Sequence, residues 1–145
     1  NLLLIGPPGC GKSTGLRDLI RRCSDRLGRR VAVADERGEL AAARDGVPCF
    51  DVGRGTDVLT GGPRGQALEL LLRVMNPSVL AMDEIVSREE LDALLHAARC
   101  GVTLLATAHA ADCAELRERF PSLRELFPCL AKVDRSSVRL ERWSC

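Results

Sequence analysis

Residues 6–14, which read GPPGCGKST, form a loop with the glycines, lysine and hydroxyls that can hold a chain of phosphates. The stretch fits the pattern G-x-x-x-x-G-K-[ST] through Gly6, Gly11, Lys12 and Ser13. Glycine lets the backbone wrap closely, so that several N–H groups point inward at the positive end of the following helix. Lys12 would bridge the β- and γ-phosphates, and Ser13 would ligate Mg²⁺. We assign the whole of this lysine loop to phosphate binding: Gly6, Pro7, Pro8, Gly9, Cys10, Gly11, Lys12, Ser13 and Thr14.

Two acids, Asp83 and Glu84, end the apolar stretch VLAM. An apolar strand that ends in acids places carboxylates at the carboxyl edge of a parallel sheet, where ligands of open α/β sheets bind. Asp83 suits the shell of a Mg²⁺ ion, usually through water, and Glu84 suits polarisation of an attacking water molecule. Two solvated acids at the start of a loop are the alternative, but the upstream lysine loop favours the chemical role.

A third cluster, ATAHA, ends a further apolar strand and contains Thr107 and His109. Either side chain could contact the γ-phosphate if this strand lies between the lysine-loop strand and the acid strand. A single histidine at a strand end is as well explained as an ordinary surface or capping residue.

The stretch DERGE follows the strand VAVAD and supplies Asp35, Glu36 and Glu39 at the same predicted edge of the sheet. In isolation this cluster is better explained as a solvated turn, although it could hold water or Mg²⁺. The residues therefore leave two candidates for the general base, Glu36 and Glu84.

The elements that must position these residues alternate along the chain. Apolar strands are predicted at 2–5, 31–35, 78–83 and 102–108. Helices are predicted at 12–26, at 66–76, after the capping box of Ser87 and Glu90, and after Asp112. Residues 36–65 are expected to be loop with some short element, and 130–143 a terminal hairpin. This alternation predicts an α/β fold with a mainly parallel sheet, helices on both faces and a C-terminal β-hairpin.

The bulk composition fits one globular domain over residues 1–145. The chain is 46% hydrophobic and 28% charged with a net charge of +1, so its charge gives no reason to expect nucleic acid or a membrane as partner. No apolar run approaches the length of a bilayer span. Seven cysteines without a CxxC pair suit a reducing cytosol. Because Asn1 leads directly into a strand, we expect the sequence to be a fragment of a longer protein.

In this order, the clusters resemble the stage III sporulation protein AA family and, more distantly, the secretion and pilus-motor ATPases of type II and type IV systems. Five blocks in register carry the resemblance over almost the whole chain: LIGPPGCGKST, VAVADERGEL, GVPCFDVGRGTDVL, RVMNPSVLAMDEI and GVTLLATAHA. Two departures are Gly38, where the family often has Ser, and IVSREE in place of a more usual IGREE. Neither involves a proposed phosphate ligand.

The resemblance implies a RecA-like P-loop core with an additional strand between the lysine-loop strand and the acid strand. It implies ATP and Mg²⁺ as cofactors, a hexameric homo-oligomer, and membrane-protein partners in the channel between mother cell and forespore. The protein would then be cytoplasmic and peripheral to the membrane through those partners. An N-terminal domain, which such proteins carry, would lie outside this sequence.

Site roles also follow from the resemblance. In secretion ATPases the acidic turn, the acid after the third strand and a histidine after the sensor strand surround the γ-phosphate, which implies catalytic roles for Glu36, Glu84 and His109. Arginines between the acidic turn and the acid strand reach a nucleotide in such rings. Arg54 occupies that stretch, as do Arg64 and Arg73, whose assignment is weaker.

Three functions remain open at this point. The first is an ATPase that drives movement at a membrane apparatus, and the second is a nucleotide-gated scaffold that binds ATP without turnover. The third, a DNA-dependent ATPase, is disfavoured because aromatic residues for base stacking are nearly absent. A solvated or subunit-facing surface explains the basic residues on and after the first helix better: Arg17, Arg21, Arg22, Arg26, Arg29 and Arg30.

Overall fold

Strands and helices alternate along most of residues 1–143, the part of the chain that the computed structural model describes. The strands are β1 (Leu2–Gly6), β2 (Val31–Asp35), β3 (Thr56–Thr60), β4 (Val79–Met82), β5 (Thr103–His109), β6 (Cys129–Val133) and β7 (Val138–Glu141). The helices are α1 (Lys12–Asp25), α2 (Arg64–Met75), α3 (Arg88–Arg99), α4 (Cys113–Arg119) and α5 (Leu123–Leu126). The α/β prediction is confirmed. Of the seven cysteines in the sequence, Cys145 lies outside the described residues.

The described strands form one sheet in the order β3-β2-β4-β5-β1-β6-β7. All neighbours are parallel except β6 and β7, which form the predicted antiparallel hairpin. Strand β5 lies between β1 and β4, as the resemblance implied. Gly6 pairs with His109 and Met82 with Ala106, so β1 and β5 end together and β4 ends three residues earlier at the same side of the sheet. The segments that follow them therefore meet at one edge of the sheet.

The short element expected within residues 36–65 is the strand β3. Its sequence TDVLT has only two apolar residues, and glycines flank it. The strand pairs with β2 on one side only and is partly exposed, so it needs little apolar character. An edge strand of this kind gives a weak sequence signal.

The sheet has a hydrophobic core on each face. Successive residues of β2 pack into opposite cores. Val33 packs on the face covered by α1, and Ala32 packs on the face covered by α2 to α5. Strands that are buried on both sides read as continuous apolar runs, as VAVA does. Helix α1 is anchored by Leu16 and Ile20, which are fully buried. Each contributes about 1.5–3 kcal/mol relative to an exposed position.

No helix within residues 1–143 has both the length and the apolar character needed to cross a bilayer.

The start of the lysine loop depends on a glycine where β1 meets β6. A Cβ atom at Gly6 would lie 2.3 Å from the carbonyl oxygen of Val133, a distance that no real contact allows. Because that oxygen belongs to the backbone of a paired strand, it has no rotamer by which to move away. The loop can leave the sheet here only with glycine at this position.

The substitution Gly6→Ala tests this contact. We expect it to lower the free energy of unfolding by about 3 kcal/mol, at the upper end of the cost of overpacking, as measured by urea denaturation. The matched control is Gly28→Ala, where the backbone is also left-handed but an added Cβ would meet nothing within 4 Å. The control should cost only about 1 kcal/mol. Equal costs for the two variants would contradict the steric role of Gly6.

Candidate functional site

The lysine loop, the acids after β4 and the end of β5 meet at the carboxyl edge of the sheet. The Ser13 hydroxyl donates to Oδ2 of Asp83 at 2.8 Å, and the Thr107 hydroxyl donates to Oδ1 of the same carboxylate at 2.7 Å. Residues that are 70 and 24 positions from Asp83 thus converge on one side chain. A hydroxyl beside a carboxylate is the type of oxygen donor set that a hard divalent cation prefers.

Lys12 is held against its own loop. Its side chain is buried, with the residue 5% exposed, and Nζ donates to the carbonyl oxygens of Gly6 and Pro7, each at 2.9 Å. Nδ1 of His109 lies 3.0 Å from the same ammonium and must be unprotonated to accept from it. A phosphate oxygen in the loop would compete with these acceptors for the ammonium protons.

The other residues assigned to the lysine loop surround this lysine. Gly11 has φ +102 and begins α1 without a side-chain cap, so no side chain of its own covers the helix N-terminus. Cys10 is buried, with its sulfur 4.0 Å from Nζ of Lys12. The rest of the assigned residues are exposed: Pro7, Pro8, Gly9 and Thr14.

Glu84 has a left-handed backbone, with φ +31, which is strained for a residue other than glycine. Its amide donates to Oδ1 of Asp83 at 3.1 Å and to the Thr107 hydroxyl at 2.9 Å, and these contacts hold the strained turn. Its carboxylate lies 3.4 Å from Nε2 of His109 and 3.5 Å from a guanidinium nitrogen of Arg37. The carboxylate therefore faces the lysine loop with loose contacts and can turn toward a ligand.

The turn after β2 separates the acids of DERGE into different roles. Asp35 is 2% exposed, and its carboxylate accepts from the amides of Leu40 at 3.2 Å and Ala41 at 2.8 Å. It fixes the turn and has little surface left for a ligand. Glu39 instead lines a small cavity together with Asp83 and Glu84. Desolvation by its neighbours and the negative charge of Asp83 raise the pKa of Glu39.

Glu36 is paired with Arg64, a buried arginine that is 8% exposed. Nε of Arg64 lies 3.0 Å from the Glu36 carboxylate and 2.8 Å from that of Glu90, and a terminal nitrogen lies 3.4 Å from the backbone oxygen of Asp83. Neither carboxylate accepts a directed hydrogen bond from Nε, so these contacts are ionic. Glu90 also completes the predicted capping box with Ser87 at the start of α3.

Two features of the site were not predicted from the sequence. Besides Glu36, which the family resemblance implied, Glu39 of the same turn lines the small cavity that contains Asp83 and Glu84. Arg64, which was grouped with arginines that reach a nucleotide in such rings, is enclosed within its own chain. The only local signal was the presence of three acids in the turn, which does not say where each one points.

The structure does not bring the other two arginines to the site of their own chain. Arg54 lies just before β3 begins and therefore at the amino edge of the sheet, where its backbone amide donates to the carboxylate of Asp25 at 2.9 Å. Arg73 lies in the last turn of α2. Their assignment to a nucleotide in a neighbouring subunit stays a prediction.

The buried charges around Arg64 allow a stability test. Arg64→Met should lower the free energy of unfolding by about 3–5 kcal/mol, because the Glu90 carboxylate is left buried without a positive partner. The double variant Arg64→Met/Glu90→Gln should recover part of this loss, since the amide is neutral and can still accept at the start of α3. Urea unfolding measures both. A double variant no more stable than the single one would refute the charge-pair explanation.

The sheet order and the lysine loop between β1 and α1 define a P-loop-like α/β fold, and solved structures of ATPases share it. The pilus retraction motor PilT with bound ADP matches with a TM-score of 0.74 and 18% identity, over 99% of this chain and 48% of that one. The VirB11 ATPase from the Brucella suis type IV secretion system, in complex with sulphate, matches with a TM-score of 0.72 and 17% identity, over 97% and 46%. Identities this low establish the fold alone.

The chain belongs to the family described as sporulation stage III, protein AA, whose sequence model matches residues 1–136. Stage III sporulation protein AA of Bacillus subtilis (strain 168) is 40% identical over 131 residues, which are 88% of this chain and 42% of that protein. Protein SEEDLING PLASTID DEVELOPMENT 1 of Arabidopsis thaliana is 33% identical over 111 residues, or 75% and 16%. The chain thus spans less than half the length of either relative, and the predicted family resemblance is confirmed.

Proposed function

We propose that this chain is the ATP-binding and ATP-hydrolysing core of a sporulation-associated motor that couples hydrolysis to assembly or transport at a membrane channel. The observation that carries the proposal is the 2.8 Å contact between Ser13 and Asp83. It joins the lysine loop to the acid strand, so that phosphate-binding groups and carboxylates face one small space. A glycine-rich turn that served only as a connection would need no such partner.

The residues present fit a Mg²⁺–ATP complex. The loop amides and Lys12 would hold the phosphates, while the Ser13 hydroxyl and Asp83, the latter through water, would hold Mg²⁺. Within residues 1–143 no group of three or more His, Cys, Asp or Glu is arranged to hold a metal. Mg²⁺ keeps several waters and needs only one or two protein oxygens, so two ligands are enough. When bound, the ion neutralises charge on the β- and γ-phosphates.

We assign activation of the attacking water to Glu84 rather than Glu36. Glu36 is ion-paired with Arg64 at 3.0 Å, whereas the Glu84 carboxylate lies 3.4 Å from a ring nitrogen of His109 and 3.5 Å from a guanidinium nitrogen of Arg37. Glu84 is therefore the less engaged of the two bases. Glu39, beside Asp83, would add negative charge where the water shell of Mg²⁺ lies.

The wider biological role rests on the family and on fold relatives. Solved proteins of this fold are described as a pilus retraction motor and as the ATPase of a type IV secretion system. By analogy we propose a hexameric homo-oligomer in the cytoplasm at the membrane of the sporulation channel. In such a ring, the exposed Arg54 would reach the nucleotide of a neighbouring subunit.

Phosphate release with Mg-ATP tests the enzymatic proposal. Lys12→Ala should reduce the rate by at least about 100-fold, because the ammonium that stabilises the developing charge is lost. Arg21→Ala, on the exposed side of the same helix, is the matched control and should keep the full rate. If the unsubstituted protein and Lys12→Ala release phosphate equally fast, the chain is not an ATPase of this kind.

A second candidate, the nucleotide-gated scaffold, is favoured by the state of Lys12. Since the ammonium already bonds to Gly6 and Pro7, nucleotide entry requires the Lys12 side chain to leave these acceptors, and that change could itself control assembly. Glu84→Gln separates the two functions. For the motor we expect loss of both hydrolysis and sporulation, with nucleotide affinity retained and with Glu89→Gln as an unaffected control. Normal sporulation of Glu84→Gln cells would favour the scaffold.

A further inference from the structure

We infer that Arg17 is a positioning residue, which fixes the turn after β2 to the helix of the lysine loop and so aims Glu39 at Asp83. This inference rests on the proposed function and deepens it, because it assigns to one arginine the alignment of the third carboxylate of the site. Sequence analysis placed Arg17 among six arginines of a solvated or subunit-facing surface.

The guanidinium of Arg17 bonds to the backbone of the turn itself. Nε donates to the carbonyl oxygen of Leu40 and a terminal nitrogen donates to that of Glu39, both at 2.7 Å. The planar fork of arginine matches two neighbouring acceptors in a way that lysine cannot reproduce. The guanidinium also lies 4.0 Å from the centre of the Phe50 ring, which covers its other side.

The position of Arg17 on α1 links the two halves of the site. It lies four residues after Ser13, so both side chains leave the same face of the helix one turn apart. Ser13 reaches Asp83, and Arg17 reaches the turn that bears Glu39. A single rigid helix, anchored by Leu16, thereby sets the distance between the two carboxylates.

Asp35 holds the same turn through its backbone donors, whereas Arg17 holds it through its backbone acceptors. The Asp35 carboxylate accepts from the amides of Leu40 and Ala41, and the Arg17 guanidinium donates to the carbonyl oxygens of Glu39 and Leu40. Leu40 and Ala41 are fully buried, so these backbone groups have no access to water as an alternative partner. The Glu39 side chain remains exposed, at the edge of a turn whose backbone is held from both sides.

Segment 49–50 completes the arrangement. The amides of Cys49 and Phe50 donate to the carbonyl oxygen of Ala41 at 2.9 and 3.0 Å. The ring that stacks on Arg17 is therefore attached to the same turn that Arg17 holds. Loss of the guanidinium would free the ring and two carbonyls together, which loosens the turn without removing any ligand of the phosphates.

Arg17→Ala tests the inference, with Arg17→Lys as the conservative variant and Arg21→Ala as the matched control on the same helix. Arg21 is paired with Asp18 at 2.7 Å and has no hydrogen bond or ion pair to the turn among the described residues. We expect Arg17→Ala to lower kcat by about 10- to 100-fold, the range for a misplaced catalytic group, with nucleotide Kd changed by less than about threefold. Lysine should give a partial rescue, and Arg21→Ala should match the unsubstituted protein.

Two further measurements separate positioning from a purely structural role. Hydrogen exchange at the Leu40 and Ala41 amides should speed up in Arg17→Ala and stay slow in Arg21→Ala. If Arg17 acts through Glu39, adding Arg17→Ala to Glu39→Gln should lower kcat little further, since residues that act as a unit are not additive.

Unchanged exchange, unchanged kcat, or a fully additive double variant would each overturn the inference. Failure of the proposed function has a different signature, namely phosphate release that is no faster than in Lys12→Ala. In that case the positioning role falls with the function, and faster exchange in Arg17→Ala would show only a structural brace.

Discussion

The carboxylate of Asp83 is the group on which the rest of the site depends. It accepts from the Ser13 hydroxyl, the Thr107 hydroxyl and the amide of Glu84, which come from α1, β5 and the turn after β4. Hydrogen bonds to a carboxylate are shorter and stronger than bonds between neutral groups, because one partner is charged. One side chain thus joins the lysine loop to the centre of the sheet before any ligand is present.

The order of the strands makes this junction possible. Because β5 lies between β1 and β4, Thr107 stands between the lysine loop and the acids and can bond to Asp83. The same hydroxyl accepts from the amide of Glu84, which holds that residue in a left-handed backbone conformation. Such strain costs about 1–3 kcal/mol and persists only where surrounding contacts fix it. The strained backbone of Glu84 is therefore held by a residue of the central strand β5.

Much of this fold could be predicted from the sequence, because its signals are local. The lysine loop, the apolar strands and the capping box of Ser87 and Glu90 each depend on residues close together in the chain. Strand β3 was expected only as a short element of unspecified type, because an edge strand needs little apolar surface. The different roles of Glu36 and Glu39 could not be predicted for another reason, since they depend on residues far away in the sequence. Arg17 bonds to the backbone of Glu39, 22 residues away, and Arg64 pairs with the carboxylate of Glu36, 28 residues away.

The contact between Gly6 and the carbonyl of Val133 has a consequence for biosynthesis. Strand β1 is made before its neighbour β6, whose residues Cys129–Val133 emerge from the ribosome more than a hundred positions later. Contacts between such distant segments close late, since the chain must first lose the entropy of a long loop. The lysine loop is therefore synthesised long before the strand that shapes its start. Its folded form has to wait until β6 has been made.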